Sequence, residues 1–135
     1  QGHTTSNSTS FVQYASIEAL TNCDEEIEAM RREFSLRREF MLNRLREMPD
    51  IACPDADGAF YLLPNISRYF GKSYGGYHIA DSNDFCAYLL AQAHIGLVPG
   101  AAFAAPQSVR ISYSNSLDNL ARGLDQMQAA LALLR

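Results

Sequence analysis

The chain has 135 residues, 47% of them apolar and 19% charged, and its net charge is −4. This length and composition are typical of one globular domain, and the acidic balance excludes the broad basic surface that nucleic-acid binding requires. No apolar run approaches the roughly 20 residues that span a bilayer, so we expect neither a nucleic acid nor a membrane as a partner.

The cysteine pattern indicates a reducing compartment. Cys23, Cys53 and Cys86 are odd in number, widely spaced and without a C-x-x-C pair, which disfavours both a disulfide framework and a zinc ribbon. We therefore expect a cytoplasmic protein. The chain starts at Gln1, in a polar segment and without a methionine, so we also expect a piece of a longer protein.

Two helices are predicted at the start of the chain. Ser8, Thr9 or Ser10 can cap the first helix, which ends near Asn22 and carries an apolar stripe of Phe11, Val12, Ala15, Ala19 and Leu20. The second is a long amphipathic helix that ends at Pro49, with acidic residues at its start and arginines at its end. Its apolar face consists of Ile27, Met30, Phe34, Met41, Leu45 and Met48.

A strand, a long loop and a third helix follow. The apolar run from Ala59 to Leu63 lies between Gly58 and Pro64 and predicts a strand. The polar and aperiodic residues after it are expected to form a long loop. Asp81 or Ser82 can cap the third helix, whose predicted buried side consists of Phe85, Cys86, Leu89, Leu90 and Ala93.

Two strands and a fourth helix complete the chain. Residues 97–99 and the residues around Arg110 predict strands that the small-residue loop 100–107 connects. Ser116 can cap the last helix, in which the apolar spacing alternates between three and four at Leu117, Leu120, Leu124, Met127, Leu131 and Leu134. The order of elements predicts an α/β domain, α+β-like in layout, in which a small sheet of about three strands packs against four helices.

Two loop motifs and the histidines do not match the site patterns that they resemble. "FGKSYGG" (70–76) ends like a phosphate loop, but Ile66 stands where that pattern needs its first glycine. "DADG" (55–58) opens like a calcium loop, with Ile66 again at the position of the bidentate glutamate. His3, His78 and His94 lack the spacing of a metal-ligand pair. We predict no nucleotide site and no metal site.

Arg110 is the best candidate for a chemical role. Strand alternation in "VRISY" (109–113) places Arg110 and Ser112 on one face, opposite Val109, Ile111 and Tyr113. A guanidinium forms two parallel bonds with a carboxylate, and the small residues 100–102 would let a ligand or another backbone come close. Two interpretations stay open: a surface ion pair within this chain, or a binding site for an anion.

Several segments together resemble one family. "GAFYLLPNIS" (58–67), "GLVPGAAFAAP" (96–106) and "VRISYSNSLDNLARGLDQM" (109–127) resemble the C-terminal part of class I aminotransferases, which use pyridoxal phosphate and have the fold type I structure. The opening "QGHTTSNSTSFVQYASIEAL" is similar to the segment that follows the cofactor lysine in that family. The inserted "YFGKSY" is most similar to bacterial aspartate aminotransferases. The resemblance covers essentially the whole chain.

This resemblance implies a division of the chain and roles for its residues. Residues 1–22 would be a linking segment and helix from the large-domain or interdomain region, and residues 23–135 the C-terminal small domain. The parent enzyme would transfer an amino group between an amino acid, aspartate by resemblance, and a 2-oxo acid. Arg110 would bind the α-carboxylate of the substrate. Thr5, Ser6 and Asn7 would lie near the neighbouring subunit's active site in a homodimer, although helix capping explains that run equally well.

The resemblance also implies what this chain lacks. The family's Schiff-base lysine and its phosphate-binding residues would precede Gln1, and Lys72, the only lysine, lies outside the family's lysine motif. We therefore expect no catalytic residue here and no binding of pyridoxal phosphate by the isolated piece. Phe60 and Tyr61 lie near the domain junction in relatives, but one face of their strand must be core, so neither is assigned as a ligand. A non-catalytic small α/β module that binds amino acids or a partner is the alternative.

Overall fold

A computed structural model describes residues 7–135. These residues form four α-helices and five short strands: α1 (Ser10–Thr21), α2 (Asp24–Glu47), β1 (Tyr61–Leu62), β2 (Ser73–Tyr74), β3 (Tyr77–His78), α3 (Ser82–Ala93), β4 (Val98–Pro99), β5 (Val109–Ser112) and α4 (Leu117–Leu131). The chain divides into two compact units, one ending at Glu33 and the other running from Phe34 to Arg135. Every helix and strand that the sequence predicts is present, with strands shorter than expected.

The first unit contains α1, which keeps its apolar stripe exposed. No side chain of α1 is buried, and Leu20 is 84% exposed. Thr9 occupies the N-cap position, but its side chain makes no bond to the first turn, so the predicted side-chain cap does not form. The end of the helix at Thr21 agrees with the predicted end near Asn22.

The second unit is built around a three-stranded antiparallel sheet with the order β1-β5-β4. Tyr61 is paired with Ser112 and Leu62 with Ile111, while Val98 is paired with Arg110 on the other side of β5. The predicted sheet of about three strands is therefore confirmed. β5 is its central strand, so both neighbours of Arg110 in the sheet come from other parts of the sequence.

The core lies between this sheet and the helices of the second unit. Its largest contributions are Met41 and Leu45 of α2, Phe85, Tyr88 and Leu89 of α3, Leu124 and Met127 of α4, and Leu62, Val109 and Ile111 of the sheet. The predicted buried position of Leu90 is wrong, since Leu90 is 58% exposed. Tyr88 takes that place because the buried side of a helix repeats at three and four residues from Phe85, and Leu90 is five residues away.

The predicted long loop is partly wrong. It contains a hairpin in which Tyr74 of β2 pairs with Tyr77 of β3, and Gly75 and Gly76 between them have φ of 58° and 85°. Two glycines with positive φ form the tight turn that suits a two-residue hairpin. The "FGKSYGG" segment is therefore a structural hairpin, and strands of two residues are too short to show a period in sequence.

Candidate functional site

The candidate site lies on the face of β5 that points away from the core. Val109 and Ile111 are buried, whereas Arg110 is half-buried and Ser112 is exposed. Tyr113 continues the buried face. The alternation predicted for this strand is confirmed, because a strand turns successive side chains to opposite faces.

Tyr61 brings an aromatic ring to Arg110 from β1. The Cζ atom of Arg110 lies 4.3 Å from the centroid of the Tyr61 ring. Tyr61 pairs directly with Ser112, so Arg110 is its diagonal neighbour on the same face, within reach of an aromatic side chain. The ring face attracts the guanidinium through its quadrupole.

Phe103 brings a second ring from the other side of the central strand. It ends a 3₁₀ turn, Gly100–Phe103, that follows β4, and its ring centroid lies 4.4 Å from Arg110 Cζ. The turn is tight at Gly100, whose N–H donates to the Ser108 carbonyl (2.9 Å) and whose carbonyl accepts from the Ala105 N–H (3.0 Å). The close backbone approach predicted for the small-residue loop is thus present at its glycine.

The charge of Arg110 is not paired within the described chain. Other arginines of the second unit bind carboxylates, such as Arg44 with Asp125 (2.5 Å) and Arg46 with Asp55 (2.7 Å). Among residues 7–135, no carboxylate lies within 4.0 Å of the Arg110 guanidinium and no hydrogen bond engages its N–H groups. The surface ion pair considered for Arg110 therefore does not form with any of these residues. Its N–H groups can donate hydrogen bonds to a planar anion.

The loop before β1 is anchored to the strand that carries Arg110. The Tyr113 hydroxyl donates to the Ala59 carbonyl (2.8 Å), and the Tyr113 N–H donates to the Phe60 carbonyl (3.0 Å). Phe60 is 41% exposed, and the centroid of its ring lies 4.4 Å from the centroid of the Tyr61 ring. Leu62 is the member of this strand that enters the core, so Tyr61 is free to contact Arg110.

The profile of the family described as "Aminotransferase class I and II" matches residues 1–126. The chain belongs to this family.

Individual relatives agree with this assignment. The aspartate aminotransferase of Geobacillus stearothermophilus is 39% identical over 125 residues, which cover 93% of this chain and 31% of that protein. The aspartate/prephenate aminotransferase of Cereibacter sphaeroides is 38% identical over 133 residues, with coverage of 98% and 33%. The crystal structure of the aspartate aminotransferase from Rhizobium meliloti superimposes with a TM-score of 0.93 at 34% identity, covering 98% of this chain and 34% of that one. The chain spans about a third of the length of the relatives that it matches.

Lys72 does not fit the role of the cofactor lysine of an aminotransferase. Its Nζ lies 2.8 Å from Asp50 Oδ2 and 4.5 Å from the centroid of the Tyr69 ring. The hydrogen bond from Lys72 is the main reason why the pKa of Asp50 is lowered. Because a Schiff base needs an unpaired, deprotonated amine, the residues of this chain do not fit a site that would hold pyridoxal phosphate covalently.

The other predicted site residues contribute little to the described structure. Thr5 and Ser6 lie outside the described residues, and Asn7 is exposed at their start. Residues 7–135 contain no cluster of His, Cys, Asp and Glu side chains arranged to hold a metal. None of the helices in this range has the length and apolar character that a membrane span needs. Among the described residues, Arg110 is thus the predicted site residue that two aromatic rings from neighbouring elements contact.

Cys53 and Cys86 are not candidates for nucleophilic chemistry. All three are free thiols, and burial raises the pKa of Cys53 and that of Cys86 to about 11. A thiol with such a pKa is protonated at neutral pH, and only the thiolate is a good nucleophile. Cys53 and Cys86 therefore act as small core residues.

The sequence does not identify the two aromatic partners of Arg110. One face of the strand that carries Tyr61 must be core, so the sequence does not assign Tyr61 to a site, and Phe103 lies in a loop with no periodic pattern. Pairing β1 with β5 in antiparallel register would have pointed to Tyr61, since it places Tyr61 diagonal to Arg110. Nothing comparable in the sequence indicates Phe103.

Proposed function

We propose that this chain binds the substrate carboxylate in an aminotransferase that transfers an amino group between an amino acid and a 2-oxo acid. One observation carries the proposal. Arg110 is half-buried and its Cζ atom lies within 4.4 Å of the centroids of two aromatic rings, while no carboxylate of residues 7–135 lies within 4.0 Å of its guanidinium. Such a group is poised for an anion that comes from elsewhere.

The α-carboxylate of an amino acid is the anion that this guanidinium suits. A carboxylate accepts two parallel N–H bonds from the planar fork of an arginine, which fixes both the position and the rotation of the bound molecule. Partial burial strengthens the pairing because water screens it less. Holding the amino acid at one end in this way would align its amino group for reaction.

Aspartate is the proposed amino-acid substrate. The relatives from Geobacillus stearothermophilus and Cereibacter sphaeroides are both named for aspartate, and the second is also named for prephenate. These names support aspartate over other amino acids. Since the similar proteins of known name are enzymes, a non-catalytic binding module is not favoured.

The rest of the enzyme would supply the reaction chemistry. Pyridoxal phosphate is the proposed cofactor, which provides the electron sink that transamination needs, and the ion pair of Lys72 supports a cofactor lysine elsewhere in the parent protein. The isolated chain is accordingly expected to be inactive. The division into residues 1–22 and 23–135, the homodimer and the role of Thr5, Ser6 and Asn7 in it stay predictions. A cytoplasmic location is also proposed, which the three free thiols support.

Replacement of Arg110 tests the proposal. In the full-length enzyme, Arg110→Lys keeps the charge but loses the bidentate geometry, so we expect kcat/KM to fall at least about tenfold, by a similar factor for every amino-acid substrate. Steady-state kinetics with aspartate and with two uncharged amino acids would measure this. Arg122→Lys is the matched control, because Arg122 lies on α4 and donates a hydrogen bond to Asn119, its neighbour on the same helix. Unchanged kinetics for Arg110→Lys would overturn the proposal.

A further inference from the structure

We propose that Tyr61 and Phe103 are positioning residues that hold the Arg110 guanidinium for its ligand without using any of its hydrogen-bond donors. This inference rests on the proposed function of Arg110 as the carboxylate anchor. It assigns a purpose to two aromatic side chains of which one is half-buried and the other is 44% exposed.

The first argument is the placement of the two rings. Tyr61 comes from β1 on one side of the central strand, and Phe103 comes from the turn after β4 on the other side. Both ring centroids lie within 4.4 Å of Arg110 Cζ. At this distance each ring makes a cation–π contact with the guanidinium, and such a contact needs none of the N–H donors that a carboxylate would bind.

The second argument is that rings restrain the guanidinium without competing for it. Arg44 is restrained in a different way, by an ion pair with Asp125 at 2.5 Å. The carboxylate of Asp125 holds the Arg44 side chain, but it also occupies an N–H donor of the guanidinium and neutralises its charge. A carboxylate held in that way by Arg110 would have to be displaced by the substrate. An aromatic ring attracts the cation but accepts none of its in-plane N–H bonds. Tyr61 and Phe103 therefore restrain Arg110 while keeping its donors available.

The third argument is that the fold holds both rings in place. Tyr61 is restrained by strand pairing with Ser112 and by the ring of Phe60 at 4.4 Å. Phe103 is followed by Ala104, which has a φ of 56° and an N–H bonded to the Ala101 carbonyl. A long arginine side chain loses much rotamer freedom when it binds a ligand, and contacts made before binding reduce that loss.

Removal of each ring tests the proposal in the full-length enzyme. We expect Phe103→Leu and Tyr61→Leu each to raise KM for aspartate about threefold to thirtyfold, the range that corresponds to the loss of one partly desolvated cation–π contact, with a smaller change in kcat. The affinity for maleate, an unreactive dicarboxylate, should fall by a similar factor in calorimetry. Tyr61→Phe keeps the ring and should restore near-normal values. Tyr74→Leu is the matched control, since Tyr74 is a similarly exposed aromatic residue in the β2–β3 hairpin.

A double-mutant cycle with Arg110→Lys separates this inference from the proposed function. If the rings act through Arg110, Phe103→Leu should have little further effect in the Arg110→Lys background. Ring variants that behave like Tyr74→Leu, or an undiminished effect of Phe103→Leu in that background, would overturn the positioning role while leaving the carboxylate anchor intact. If Arg110→Lys alone changes nothing, the proposed function itself fails. Phe103 is 44% exposed, so Phe103→Leu is expected to fold even if Tyr61→Leu does not.

Discussion

At the scale of single residues, Gly100 determines where Phe103 can lie. A Cβ atom at this position would overlap the carbonyl oxygens of Ala105 and Ser108, both of which belong to the backbone and cannot rotate away. The absence of a side chain thus lets the chain fold back after β4. This close approach is what brings Phe103 towards Arg110.

Gly100→Ala should therefore destabilise the protein. We expect the free energy of unfolding to fall by about 1–3 kcal/mol, because the backbone must shift to relieve the overlap. Gly123→Ala provides the comparison, since a Cβ atom there meets nothing within 4 Å and alanine favours the helix by about 1 kcal/mol. Urea unfolding of the two variants should give changes of opposite sign. Equal stability of Gly100→Ala and the unmodified chain would show that the turn adapts without cost.

At the scale of elements, helix caps set the boundaries of α3 and α4. Asp81 accepts hydrogen bonds from the backbone N–H groups of Asn83 (2.7 Å) and Asp84 (3.0 Å), and Ser116 accepts one from Asn119 (3.3 Å). Both caps agree with the sequence prediction. The bonds from Asp84 and Asn83 lower the pKa of Asp81, so the cap of α3 depends on pH. The cap of α4 does not, because the hydroxyl of Ser116 carries no charge.

The two caps should respond differently to acid. A lowered pKa in the folded state means that Asp81 stabilises the fold above the ordinary carboxyl pKa of about 3.9, and that this stabilisation is lost as the pH falls through its folded pKa. We expect Asp81→Asn to lower Tm at pH 7 and the difference from the unmodified chain to narrow below about pH 4. Ser116→Ala should lower Tm by a constant amount. Calorimetry between pH 3 and pH 7 would measure both, and a constant difference for Asp81→Asn would contradict the assignment.

The longer an element is, the more reliably the sequence pattern predicts it and its buried face. The alternating spacing in α4 and the alternation in β5 span enough residues to identify both the element and its buried face. The apolar positions of α2 also lie on one face, yet Ile27 and Met30 are exposed while Met41 and Leu45 are buried. Periodicity identifies an apolar face, but it does not say how much of that face is covered.

At the scale of the whole molecule, the second unit contains the core, the sheet and the candidate site. Within residues 7–135, every buried apolar residue lies in this second unit. The first unit contributes α1, a helix of 12 residues with no buried side chain. A helix of this length gains most of its stability from packing rather than from its own hydrogen bonds.

Removal of residues 1–22 should therefore leave the core intact. We expect the free energy of urea unfolding of the 135-residue chain to change by less than about 0.5 kcal/mol, the range of substitutions that touch no core group. Removal of residues 132–135 is the contrasting deletion, because it takes away buried Leu134 and the backbone bonds between Arg135 and Ser73. That deletion should cost about 2–5 kcal/mol. A large loss of stability on removal of residues 1–22 would contradict the predicted division at residue 22.

The sequence by itself determined the order of the helices and main strands, the two caps and the position of Arg110 on the outer face of β5. These features depend on residues that are close together in the chain, so spacing and local hydrogen-bonding groups are sufficient to identify them. Only the tertiary structure decided that Tyr61 and Phe103 meet Arg110 and that no carboxylate of the described residues does. Tyr61 is far from Arg110 in sequence, and the register between β1 and β5, which local patterns do not encode, places the two together. Phe103 is only seven residues before Arg110, but the fold of the turn after β4 decides where its ring lies.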